Sequence, residues 1–174
     1  MRKVARMNTL TRLGTCTAAI AVASFPATTL EIVQAAAQGS TRVPLVSDLR
    51  RCDFSRINNQ LPVLRPAIGS AFSIVNVSGS SATAEVHLYS PPNPGTHYDV
   101  GLIQEPLPSS ATCGPGDPGT AFTGMVTDGA GNASVTVGSA LRPGTKGVWV
   151  IVERPSGDAQ NPAEYYTSDF LAPV

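Results

Sequence analysis

Short runs of apolar residues, separated by turn-forming residues, fill the chain from about residue 71 onward. Each run is rich in valine, isoleucine, threonine or aromatic residues, a composition that is typical of β-strands. Helical spacing of the apolar positions fits none of these runs as well. The pattern predicts seven strands, at Ala71–Ser78, Ala82–Tyr89, Tyr98–Gln104, Phe122–Thr127, Ala133–Val137, Gly147–Glu153 and Tyr165–Leu171.

Alternation within the runs predicts which side chains face the interior. In the second run Ala84, Val86 and Leu88 alternate with polar residues, so that one face should be buried and the other should meet solvent. The sixth run is apolar on both faces over residues 148–152, which indicates a central strand. The predicted inner row of the third strand is Tyr98, Val100 and Leu102.

The segments between the runs carry the residues that turns require. Glycine, proline and asparagine are concentrated at 78–81, 91–95 and 128–132. Short strands with this punctuation predict an all-β domain, an antiparallel Ig-like β-sandwich of about seven strands over residues 67–174. The order Cys52, Cys113, Trp149 differs from the Cys–Trp–Cys order of true immunoglobulin domains, so the prediction concerns architecture alone.

The first 37 residues have the pattern of a secretory signal peptide. Four basic residues precede an apolar run at 16–25, and a small-residue site follows at 35–37. Ten apolar residues cover about 15 Å as a helix, half of the hydrocarbon core, so no stable membrane span is expected. Three alternatives stay open: the apolar run could be a buried amphipathic helix of the mature fold, residues 13–16 resemble a lipobox in which Cys16 would be lipidated, and Met7 is a second candidate start.

Charge and composition narrow the class of the remaining protein. Of the 12 basic and 12 acidic residues in the 174-residue chain, four basic and one acidic residue lie before position 38. The rest therefore has eight basic and eleven acidic residues, a mild negative charge that excludes a nucleic-acid-binding surface. We expect an N-terminal arm at 38–66 before the sandwich domain; it would form either a short strand at 43–46 or a helical turn capped by Ser47.

Two cysteines, Cys52 and Cys113, remain after removal of the signal peptide. An even pair in an exported protein predicts one disulfide, with two free thiols as the alternative. This disulfide would tether the proline-rich loop at 106–120, which is otherwise long for a compact domain.

Four segments together resemble a group of small exported actinobacterial proteins, mycobacterial ones included. The segments are 95–104 (GTHYDVGLIQ), 127–135 (TDGAGNASV), 147–150 (GVWV) and 166–170 (YTSDF). The resemblance covers about residues 70–174 and implies a signal peptide followed by a single β-sandwich domain. It carries over no catalytic residues.

The residues that bear reactive chemistry are few. His87, His97, Cys113 and Met125 are the residue types of a type-1 copper site, but both histidines precede the cysteine, whereas one follows it in cupredoxins. His97 and Asp99 share a strand face, yet no nucleophile motif accompanies them. No cofactor or metal is therefore predicted.

Clustered charges give weaker candidates. The acids available for a pair of catalytic carboxylates are Asp99, Glu105, Asp117 and Asp128. The turn at 128–132 offers oxygen ligands for calcium, although a hairpin turn is its simpler interpretation. Arg50, Arg51 and Arg56 form a basic group near Cys52 that would meet an anionic partner or lie on a solvated face.

These observations favour a non-catalytic binding or structural protein, secreted or associated with the cell envelope. Its partner would be an unidentified protein or envelope component, reached by strand addition or by a loop surface. The alternatives are a hydrolase of envelope polymers that uses the loop carboxylates, and a carrier of a small apolar ligand in a cavity lined by Phe72, Val100 and Trp149.

Overall fold

A computed structural model describes residues 39–57, 69–157 and 162–174. The predicted signal peptide, residues 1–37, lies outside these ranges, and so do residues 38 and 58–66 of the predicted N-terminal arm. All regular secondary structure in the described residues is β, which confirms the predicted all-β class. The described ranges contain no helix that could span a bilayer.

Nine strands are present in the described residues. Seven of them correspond to the predicted runs. β1 includes the short strand at 43–46, which was one of the two alternatives for the N-terminal arm. The strands are β1 Gly39–Val46, β2 Ser70–Ser78, β3 Ser81–Tyr89, β4 His97–Glu105, β5 Thr120–Val126, β6 Asn132–Ala140, β7 Gly147–Arg154, β8 Glu164–Ser168 and β9 Ala172–Pro173.

The strands form one antiparallel sheet in the order β5-β4-β7-β8-β1-β2-β3-β6, with β9 paired to β7. The two outermost strands, β5 and β6, lie against each other, so the sheet is nearly closed into a barrel. The predicted sandwich would have about seven strands in two separate layers. The observed single sheet differs from that prediction. The physical reason is β1: Leu45 and Val46 pair with Ser168 and Thr167 of β8, while most of β1 pairs with β2, so that β1 joins the two halves.

The inward side chains form a single apolar core. The predicted inner rows of β3 and β4 are confirmed, since all six side chains are buried in that core. The predicted central position of the sixth run is also confirmed, because β7 lies between β4 and β8. Alternation therefore predicted the inside of the barrel correctly, and each inward row contributes to one continuous cluster.

A second apolar layer lies outside the barrel. Val148, Val150 and Val152 of β7 point into the core, so Trp149 points outward, yet only 1% of its surface is accessible. Phe54 covers it, with ring centroids 5.7 Å apart. We call residues 47–57 the outer cover; Arg50 strengthens it by stacking on Phe54 and donating to the Phe54 and Asp169 carbonyls.

The predicted disulfide between Cys52 and Cys113 is present, with Cα atoms 5.6 Å apart. It joins the outer cover to the loop between β4 and β5. Glu105, at the end of β4, accepts the indole N–H of Trp149 at 3.0 Å and the Leu107 N–H at 2.7 Å. The outer cover and this loop are therefore fixed on the same side of the sheet.

Candidate ligand-binding groove

The four residues of the copper hypothesis lie in different environments. His87 is on the outer face of β3 and lies 3.0 Å from Glu85 Oε1. His97 begins β4, where its Nε2 lies 3.1 Å from Asp99 Oδ1. Cys113 is in the disulfide and Met125 is buried in the core. Within the described ranges, no group of three or more His, Cys, Asp or Glu residues is arranged to hold a metal.

The candidate carboxylates are spread along the fold. Asp99 and Glu105 lie at opposite ends of β4, about 20 Å apart for six residues of strand, whereas paired catalytic carboxylates lie roughly 5–10 Å apart. Glu105 is buried against Trp149, and Asp117 accepts the Gly114 N–H inside its own loop. The structure therefore separates Asp99 from Glu105 and gives Glu105 and Asp117 structural hydrogen bonds.

The candidate cavity residues separate. Val100 lies in the core, Trp149 lies under the outer cover, and Phe72 lies on the outer face of β2, so the three do not line one cavity.

Two arginines of the basic group do lie side by side, because Arg50 and Arg56 form a β-bridge. Both side chains are already engaged: Arg50 is buried against Phe54, and Arg56 pairs with Asp48 and Asp169 at 3.3 and 3.5 Å.

A groove of about 510 Å³ lies across β2, β3 and β6, next to the turn between β5 and β6. That volume is within the range of small-molecule sites. Tyr89 and Val126 stand in it with 47% and 59% of their surface exposed. The lining residues are Ser70, Phe72, His87, Leu88, Tyr89, Val126, Asp128, Asn132, Ala133 and Ser134.

Strand register builds the floor of the groove. Tyr89 pairs with Ser70 on one side and with Asn132 on the other. Two residues earlier, His87 pairs with Phe72 and Ser134 in the same way. Because side chains two residues apart share a face of the sheet, these pairings give two parallel rows on the outer face, each with an aromatic ring at its centre.

A stack of side chains fixes the part of the floor that contains His87. The rings of Phe72 and His87 lie nearly parallel, with centroids 4.7 Å apart, and the Arg42 guanidinium lies 4.0 Å from the other side of the Phe72 ring. The contact of His87 with Glu85 holds the imidazole from a further direction. This part of the floor is therefore preorganised for binding.

The turn at 127–132 forms a wall of the groove. Hydrogen bonds within the turn determine its geometry. Asp128 Oδ1 accepts the backbone N–H groups of Ala130 and Asn132 at 2.8 and 2.9 Å. These hydrogen bonds lower the pKa of Asp128. Gly131 has φ of +83°, and a Cβ there would clash with the backbone of Ser90, so only glycine suits the position. The turn therefore uses the Asp128 carboxylate to close itself.

A buried polar network anchors this turn to the core. The Glu164 carboxylate, 3% exposed, accepts hydrogen bonds from Tyr98 at 2.8 Å, Tyr166 at 2.7 Å and Asn93 at 3.0 Å. Arg154 Nε lies 3.4 Å from the same carboxylate. Asn93 belongs to the loop between β3 and β4, and its carbonyl accepts the hydroxyl hydrogen of Thr127. The chain of contacts therefore runs from the core to the edge of the groove.

Burial and the Glu164 carboxylate raise the pKa of both tyrosines of this network. For Tyr98 and Tyr166 alike, burial is the main cause, since it penalises the phenolate, and the nearby Glu164 carboxylate adds to the effect. Both hydroxyls therefore stay protonated as donors to Glu164 throughout the physiological range.

Sequence reasoning missed both the groove and the network. The groove needs the register of β2, β3 and β6, which alternation alone does not give. A signal for Glu164 was present, since it directly precedes the predicted run at 165–171, but an acid there also suits a solvated strand end. Comparisons of the chain with protein-family models, with curated proteins and with solved structures find no match.

Proposed function

We propose that this protein is an exported, non-catalytic binding module that holds a component of the cell envelope in the groove beside Tyr89. The observation that carries the proposal is the exposure of Tyr89 and Val126 in a preorganised hollow. Large exposed apolar side chains that are grouped beside polar ones are characteristic of interaction sites.

The disulfide supports export, because such bonds persist in oxidising compartments. The resemblance to small exported actinobacterial proteins points the same way. Within this proposal the Ig-like sandwich remains a finer description of the all-β fold. One half, β1-β2-β3-β6, would be one layer, and β5-β4-β7-β8 would be the other.

The test is binding of the purified protein to an isolated envelope fraction, measured by co-sedimentation. The groove variant is the double substitution Tyr89→Ser and Val126→Ser. Its matched control is Phe170→Ser, which alters the other large exposed hydrophobic residue of the described ranges, 42% exposed and outside the groove lining. We expect the groove variant to stay in the supernatant while the control sediments with the envelope. Equal sedimentation of both variants would contradict the proposal.

A further inference from the structure

We infer that the groove binds a neutral saccharide; this inference rests on the proposed function and specifies its ligand. The two outer rows place a ring between hydrogen-bonding side chains: Ser70, Tyr89 and Asn132 in one row, with Ser134 beside His87 in the other. A sugar ring has an apolar C–H face and a rim of hydroxyl groups. It therefore matches an aromatic surface that is flanked by hydroxyls and an amide.

The spacing of the rows suits a ligand of this size. The rows are two residues apart along β3, about 7 Å. A single sugar ring stacked on Tyr89 thus brings its hydroxyls within reach of the next row, and a volume of about 510 Å³ accommodates a short oligosaccharide. Neither row lies in the barrel core, so the ligand would bind on the outer face of the sheet.

The charges at the groove argue for a neutral ligand. The Asp128 carboxylate is engaged by the amides of its own turn, and His87 is held against Glu85. The Arg42 guanidinium stacks on Phe72 and is not part of the lining. The lining therefore offers an acidic saccharide no arginine or lysine with which to pair.

The remaining competitor is an extended peptide that adds to the outer edge of β6, the edge that lies against β5 without strand pairing. Among the described residues, β6 shares a ladder of backbone hydrogen bonds with β3 alone. A peptide bound there would use main-chain groups of β6 and would not depend on the Tyr89 ring. The dependence on Tyr89 therefore separates the two ligands.

The experiment is an NMR titration of the ¹⁵N-labelled protein with three probes: neutral maltohexaose and hexa-N-acetylchitohexaose, and an acidic hexagalacturonate. We expect a neutral probe to shift the backbone amides of Ser70, Tyr89, Asn132 and Ser134. Tyr89→Ala should weaken its binding about tenfold, Tyr89→Trp should retain it, and Phe170→Ala should leave it unchanged. The thermal midpoint of each variant, measured in parallel, shows that the fold is kept.

Three results would overturn the inference: no shift with either neutral probe, tighter binding of the acidic probe, or equal affinity in Tyr89→Ala. A Val-rich extended peptide that shifts β6 amides equally in wild type and Tyr89→Ala would assign the site to strand addition instead. If the groove variant loses envelope binding while neutral saccharides fail to bind, the saccharide inference fails and the proposed function stands.

Discussion

Tyr98 donates a hydrogen bond of 2.8 Å to the buried carboxylate of Glu164, which lies 66 residues further along the chain. Tyr98 is the first inward residue of β4, and Glu164 is the first residue of β8. The contact joins two strands that are separated in the sheet by β7. It thereby ties the core to the loop that supports the groove.

Substitution of Tyr98 by phenylalanine should destabilise the protein. The change removes one donor from a buried carboxylate, and a hydrogen bond to a charged group contributes about 1.5–3 kcal/mol. Urea unfolding followed by circular dichroism measures the loss. Tyr89→Phe is the matched control, because it removes a tyrosine hydroxyl from an exposed position and should change the free energy of unfolding by less than about 0.5 kcal/mol. Equal stability of Tyr98→Phe and wild type would contradict the role of the network.

Stability should fall in alkali. Because the folded-state pKa of Tyr98 and of Tyr166 is raised above the ordinary value of 10.0, the unfolded chain loses these protons first. The stabilisation is complete below pH 10 and decreases as the pH rises above it. Urea midpoints between pH 8 and pH 11 measure the slope. In the double variant Tyr98→Phe, Tyr166→Phe the slope should be shallower; an unchanged slope would show that other groups cause the alkaline loss.

Substitution of Glu153 by glutamine should stabilise the protein at pH 7. Glu153 pairs with Asp99 across β4 and β7, and burial, followed by the Asp99 charge, raises its pKa above 4.5. Ionisation of Glu153 therefore costs stability as the pH rises through 4.5. We expect a gain of roughly 0.2–1 kcal/mol at pH 7, the typical size of a cross-strand pair contribution, because like charges directly opposite destabilise a sheet. The gain should vanish at pH 3.5, and a gain of the same size there would point to a cause other than charge.

Ser73 is a buried position at which a substitution should increase stability. Its side chain lies between Val43 and Val86 in the strand register and is fully buried, with no hydrogen-bond partner for the hydroxyl. An unsatisfied buried polar group costs about 1–3 kcal/mol, so Ser73→Ala should raise the free energy of unfolding. Ser134→Ala, at an exposed position of β6, is the control for strand propensity. A destabilised Ser73→Ala would reveal a hydrogen bond to this hydroxyl.

Loss of the disulfide should loosen the outer cover before the barrel. The double variant Cys52→Ser, Cys113→Ser is expected to lose about 2–5 kcal/mol. The single tryptophan of the chain, Trp149, reports on the cover directly because Phe54 shields it. Its fluorescence should shift to the red and become accessible to acrylamide, while the far-ultraviolet spectrum of the strands is retained. An unshifted emission maximum would show that Phe54 shields Trp149 without the cross-link.

The sequence predicted the strands because alternation reports burial directly, and β3 and β4 are good examples. It did not predict that the strands form one sheet, since this depends on two residue pairs between β1 and β8. It also predicted one long strand at 165–171. The structure ends β8 at Ser168 because the Asp169 N–H donates to the Pro44 carbonyl and the chain turns towards β9.

Candidate residues were harder to predict than strands. Cys52 and Cys113 were identified because an even number of cysteines in a chain with a predicted signal peptide indicates a disulfide. The environment of Trp149 was not predicted, because the sequence pattern of an apolar residue is the same whether the outer cover or the core buries it. The contact of Glu164 with Tyr98 joins residues far apart in sequence, and nothing local distinguishes such an acid from a solvated one.

β4 also sets the height of the barrel. Its four inward residues are Tyr98, Val100, Leu102 and Gln104. The first and the last of these make polar contacts at opposite ends of the strand. At one end Tyr98 meets Glu164, and at the other the Gln104 amide donates to the Ala140 carbonyl and accepts the Arg142 N–H, both at 2.8 Å. Between its polar ends the strand thus has room for two apolar layers, those of Val100 and Leu102. A relative with two more residues in β4 would gain a third layer, and with it the depth to enclose a guest molecule, while keeping both polar ends.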